Sequence, residues 1–158
     1  MKILLPIDGD NDAELVLDFV FKYQWPSEVE FKVLHVVGSN EAESQAIEAE
    51  QDSHSLVNRI AQKLKAKFPK AKVLVEVRFG SAVYEIVESA LELHSHMIVM
   101  GYRTRQNIKP FFTGSVANGV ATVAPCSVAI IRPEKTPAEV GLTAEEYGLE
   151  LNNSGVKA

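Results

Sequence analysis

Cysteine is almost missing from this chain: Cys126 stands alone among 158 residues. A lone thiol excludes an internal disulfide and fits a reducing compartment. It lies in the apolar run from Cys126 to Ile131, where packing accounts for it better than reactivity does. Long hydrophobic runs are missing too, and nothing approaches the ~20 residues of a membrane span. The opening Met1 to Asp8 turns acidic too soon for a signal peptide, so the expectation is a cytoplasmic protein with no membrane contact. Basic charge is in short supply. A net charge of −5 argues against a nucleic-acid partner, which needs a basic face. Neither a P-loop pattern nor the Gly-x-Gly-x-x-Gly dinucleotide fingerprint occurs. His94 and His96 have no cysteine or carboxylate at metal-ligand spacing and read as boundary residues, so no metal site is expected. His35, inside an apolar strand, reads as a satisfied core residue, and no nucleophile–base pair is evident, so no catalytic residue is assigned.

What is present is regular. With 46% hydrophobic and 23% charged residues, the composition is that of one soluble domain with a real core. Short apolar runs alternate with helical patterns along most of the chain. Strands are expected at 3–7, 31–37, 73–79, 97–101 and 127–131. The first helix carries Ala13, Val16, Leu17 and Val20, and Trp25-Pro26 closes that segment. Leu56, Ile60, Leu64 and Phe68 mark one face of the second, which Pro69 stops. The acidic stretch 41–52 before it is weakly patterned and reads as loop or frayed helix. Val83, Ile86, Val87 and Ala90 mark the third helix, and 115–123 the fourth, with Ser115 as its cap.

Strands joined one to the next by helices imply an α/β fold: a five-stranded parallel, doubly wound sheet with helices on both faces. The domain is expected to span 1–133. The tail 134–158 differs in character, with a capping-box spacing from Thr143 to Glu146 that suits a short helix.

The segment 97–116 is the most informative. Met97-Ile-Val-Met-Gly101 reads as a buried strand meeting its loop, which then carries Arg103, Arg105 and Lys109. Gly114-Ser115-Val116 reads as a helix start. A strand end, a cationic loop and a helix start are the parts needed to hold phosphate, since helix-start amides point at the anion and the dipole favours it. Ligands of such sheets sit beyond the carboxyl ends of the strands, where the strand order reverses. Asp8, after the first strand, would share that crevice if the first and fourth strands are neighbours.

On these residues the chain resembles the universal stress protein family over roughly 1–133. Nucleotide-binding members carry Gly, two residues, Gly, nine residues, then Gly-Ser or Gly-Thr. Gly101 and Gly114-Ser115 match at the right distance, while Thr104 replaces the second glycine. Pro6-Ile7-Asp8 matches the family's Pro-x-Asp, and Leu34-His35-Val36 its Leu-His-Val.

The resemblance implies strand order 3-2-1-4-5 and ATP or another adenine nucleotide as ligand, with or without Mg. It places Pro6, Asp8, Val36, Met100, Gly101, Arg103, Thr104, Gly114, Ser115 and Val116 at the site. Asp8 would face ribose or adenine, the Val36 backbone would meet adenine, and Gly101, Gly114, Ser115 and Val116 would hold phosphates. A β-branched residue at a left-handed position costs ~1–2 kcal/mol, so Thr104 implies altered binding. Arg103 and Arg105 could compensate by pairing with phosphate oxygens. The resemblance also points to a homodimer, with the apolar fifth strand, bracketed by Pro125 and Pro133, as the paired edge. The competing expectation is that the tail covers that edge. Three functions follow: a nucleotide-responsive binding module with an unidentified protein partner, a slow ATP hydrolase, or a nucleotide-free dimeric interaction protein.

Overall fold

The computed structural model describes residues 1–38, 43–102 and 115–133, without the side chains of 43–49. Arg103, Thr104, Arg105, Lys109 and Gly114 lie outside the described residues, as do the tail and its Thr143 capping box.

Five strands and four helices alternate: β1 (Lys2–Pro6), α1 (Asp10–Lys22), β2 (Glu30–Val37), α2 (Glu43–Lys67), β3 (Lys72–Phe79), α3 (Ala82–Leu93), β4 (Met97–Gly101), α4 (Ser115–Val123) and β5 (Ser127–Ile131). All pairings are parallel and the strand order is β3-β2-β1-β4-β5. The expected architecture and order are what the chain adopts.

The period-2 alternation of the strands feeds two cores. Ile3, Leu5, Phe31, Val33 and Val99 meet Val16, Val20, Ile60 and Leu64 of α1 and α2 on one face. Leu4, Leu34, Ile98 and Met100 meet Ile86, Ala90, Ala117 and Val120 of α3 and α4 on the other. All four apolar positions read for α1 are buried.

Two local readings change. α2 begins at Glu43, so most of the acidic stretch is helix. A helix of 25 residues runs ~37 Å, well beyond a strand of eight at ~26 Å. Acidic residues near a helix start are favoured by the dipole, which suits this stretch to the first turns of a helix. Ser115 is the first residue of α4 instead of the residue before it. It therefore brings its own N–H to the first turn, where intrahelical partners are lacking.

Candidate functional site

The strand order reverses between β1 and β4. Their register, Ile3 with Met97 and Leu4 with Ile98, sets Pro6 beside Met100 when continued along both strands. β2 runs on to Val37, past the last β1 pair at Leu34, so Val36 forms a ledge above the end of β1. Pro6, Asp8, Val36, Met100 and Gly101 are thus gathered at the carboxyl ends of three adjacent strands. Pro6, Met100 and Gly101 are buried, Val36 is half-buried and Asp8 is exposed. α4 follows β4 and returns across the sheet, which puts Ser115 and Val116 at the same edge, Ser115 exposed and Val116 half-buried. The described members of the expected set converge.

The turn from β1 into α1 shapes one wall. Gly9 precedes the helix with φ of 150°, a conformation that a residue with a Cβ rarely takes. No side chain at position 9 caps α1. Asp12, in the first turn, instead ties down the turn that leads into the helix: its Oδ2 accepts the Asp8 N–H at 3.0 Å. The same carboxylate reaches the end of β4. A Cβ on Gly101 would stand 1.6 Å from Asp12 Oδ1, so only a residue with no side chain leaves this carboxylate where it is.

The two helix starts beside the crevice therefore differ. α1 carries Asp10 and Asp12 in its first turn, whereas that of α4 carries no acid. Carboxylates already answer the positive end of α1, whereas the first turn of α4 carries none.

Behind the β1–α1 turn lies a cleft of about 330 Å³, walled by Gly9, Asp10, His35, Ser53, Leu56 and Arg59. Arg59 of α2 pairs with Asp10 across it. The His35 ring places Nδ1 2.7 Å from the Ile7 carbonyl oxygen, a contact in which Nδ1–H donates, and the imidazole is half-buried. This is the satisfied strand histidine expected from sequence. His96 is likewise structural, its Nδ1 accepting the Lys2 N–H at 3.1 Å. Cys126 is half-buried, and burial pushes its thiol pKa up, away from the reactive thiolate.

Asp10, Asp12 and Arg59 were not singled out from sequence. The only local signal was the acidic first turn of a helix, which by itself is ordinary. Among the described residues no cluster of three or more metal-ligating side chains occurs, and no helix is long and apolar enough to cross a membrane.

Comparison with known proteins accords with this arrangement. The model of the universal stress protein family matches residues 1–132. A Staphylococcus aureus (strain USA300) protein named "Putative universal stress protein" is 25% identical over 144 residues, 87% of each chain. The solved structure of hypothetical protein MJ0577 aligns with a TM-score of 0.73 at 25% identity, over 85% of this chain and 97% of that one. A universal stress protein from Archaeoglobus fulgidus, in complex with dAMP, shares the fold with a TM-score of 0.58 at 24% identity, over 83% of this chain and 97% of that one. With its family model covering the whole described domain, this chain belongs to the universal stress protein family.

Proposed function

We propose that the chain is an adenine-nucleotide-binding regulatory module of the stress response, cytoplasmic and homodimeric. The observation that carries this reading is the pairing, at one switch point, of buried glycine at the end of β4 with a helix start free of acid. The phosphate belongs at Ser115 and Val116 on the α4 side, with the loop cations Arg103 and Arg105 within the same connection. Ribose and base belong on the β1–β2 side, where Asp8 offers an acceptor and the Val36 ledge offers backbone groups. The fold holds dAMP in the Archaeoglobus fulgidus protein, which supports an adenine nucleotide as the class of ligand. ATP, with or without Mg, belongs to that class. Among the described residues no water-orienting group is identified, and hydrolysis is the alternative that phosphate release tests.

Copurification tests the reading directly. Protein made without added ligand, then denatured and extracted, should release an adenine nucleotide detectable by mass spectrometry. In calorimetric titration, Gly114→Val should abolish nucleotide binding while circular dichroism stays unchanged. Unchanged affinity would remove Gly114 from the site. Steady phosphate release above that of Gly114→Val would make the protein a hydrolase.

A further inference from the structure

The outer edge of β3 offers backbone groups to a further strand. In a strand the N–H and C=O of one residue point to the same side, and the side alternates along the chain. The Lys72 N–H donates to the Val29 carbonyl at 3.0 Å, and the Gly80 N–H donates to the Val37 carbonyl at 2.9 Å. Even-numbered residues therefore serve the ladder with β2, while Val73, Val75 and Val77 turn their N–H and C=O groups outward. Among the described residues no strand lies on that side.

The side chains along this edge differ by face. Val75 and Phe79, 40% and 51% exposed, stand on the α2 face, where Val73 and Val77 pack against the core. On the α3 face Glu76, Glu85, Glu88 and Glu92 gather around Arg78, and Lys32 is the second cation paired within this group among the described residues. Four carboxylates thus share two cations, and the Glu88 and Glu92 side chains are 41% and 54% exposed. We propose that β3 docks an extended segment of another protein in which basic and apolar residues alternate. Added as a sixth strand, such a segment meets the outward backbone groups. Its apolar side chains lie against Val75 and Phe79, and its cations reach Glu88 and Glu92. Charge disfavours the other occupants. A second copy of β3 would set acid against acid, and residues 134–158 hold five Glu against two Lys. Nothing in this docking depends on a bound nucleotide.

The probe is a capped, fluorescent peptide of alternating Lys and Val, about eight residues long to match β3, with the full chain titrated into it and binding read by anisotropy. It should bind saturably. An alternating Glu and Val peptide should not, nor should one with the same Lys and Val content arranged in two blocks. Val75→Pro removes one outward N–H and spares the ladder with β2. It should weaken the Lys–Val peptide by at least about tenfold while circular dichroism stays unchanged. Glu88→Gln combined with Glu92→Gln should weaken it about threefold and flatten its salt dependence. That arm stands if the proline variant does not fold. Equal binding of the block or acidic peptide overturns the proposal, as does an affinity that Val75→Pro or the glutamine pair leaves unchanged. A wild type that fails to bind the Lys–Val peptide also overturns it, and leaves the tail or a second copy as the occupant of the edge.

Discussion

The two edges of the sheet solve the same problem differently. An edge strand exposes unpaired backbone groups and invites pairing with another chain. At the β3 edge the face towards α3 carries charge. Arg78, only 13% exposed, places Nε 2.9 Å from Glu76 and Nη1 3.3 Å from Glu88 and 3.6 Å from Glu85, and it also pairs with Glu92. Lys32 of β2 pairs with the same Glu76, and the Ser89 hydroxyl donates to it at 3.1 Å. At the β5 edge the strand reads Ser-Val-Ala-Ile-Ile, and all of it beyond Ser127 is half-buried. Charge arrives only at Arg132, whose guanidinium lies 4.3 Å from the centre of the Tyr102 ring. The β3 edge carries inward-facing ion pairs on one face while Val75 and Phe79 stand exposed, and β5 carries no charge at all. If the chain forms the proposed homodimer, the difference favours β5 as the paired edge, since the strand itself carries no charge.

The largest effect is expected from charging the apolar edge. Wild type should scatter light as a dimer of about twice the 17.4 kDa chain mass, and Ile131→Lys should shift it towards the single-chain value. Ile131 also packs partly against the α1 side of the sheet, so circular dichroism must confirm the fold. A monomeric wild type at high concentration would mean that β5 is covered from within the chain.

Next comes removal of the guard at the other edge. Arg78→Ala leaves Glu76, Glu85, Glu88 and Glu92 together with Lys32 as the one cation paired with them among the described residues. A fully buried broken pair costs 3–5 kcal/mol, and the exposure of Glu88 and Glu92 reduces this to about 2 kcal/mol in urea denaturation. A loss below about 0.5 kcal/mol would make the network a solvated ornament, and the contrast between edges would fail.

The same network predicts acid sensitivity. Burial alone would raise the pKa of Glu76, but hydrogen bonds from Lys32 and Arg78, with their charges, hold it below the ordinary value. A depressed carboxylate pKa adds stability above the unfolded-state value, and that stability is lost as pH falls through the folded-state value. Wild type should therefore exceed Glu76→Gln by a steady margin at neutral pH, closing as pH falls below about 4. A margin that widens in acid would contradict the assignment.

The smallest change touches neither edge. His94 closes α3 with φ of 54° and ψ of 52°, the left-handed conformation that glycine takes without cost. His94→Gly should stabilise by about 1 kcal/mol in the same urea assay and leave the mass and the acid response unmoved. Movement in either would show that the edges are coupled to the end of α3.

Much of this architecture was legible in local pattern. β4, α4 and β5 occupy the ranges expected, β2 and β3 start one residue earlier, and β1 lies one residue earlier at both ends. Those strands are short apolar runs bounded by glycine, proline or charge, signals that act over a few residues. The start of α2 was not legible, because the stretch 43–52 carries no clear apolar periodicity from which a helix can be read. Leu74, Glu76 and Arg78 lie two residues apart and so share one face of β3, yet that spacing cannot show which helix supplies the answering carboxylates. At the site, the family motif named Gly101 as a phosphate contact, while the structure shows what fills the space beside it.

Sequence alone therefore determined the alternation of strands and helices, the parallel sheet it requires, and the family to which the chain belongs. These follow from periodicity, turn residues and a spaced motif, all written along the chain. Tertiary structure decided that Asp12 meets Gly101 and that Arg78 gathers carboxylates from β3 and α3. Such meetings depend on strand register and on crossovers that carry distant segments to the same end of the sheet, and no local period encodes either.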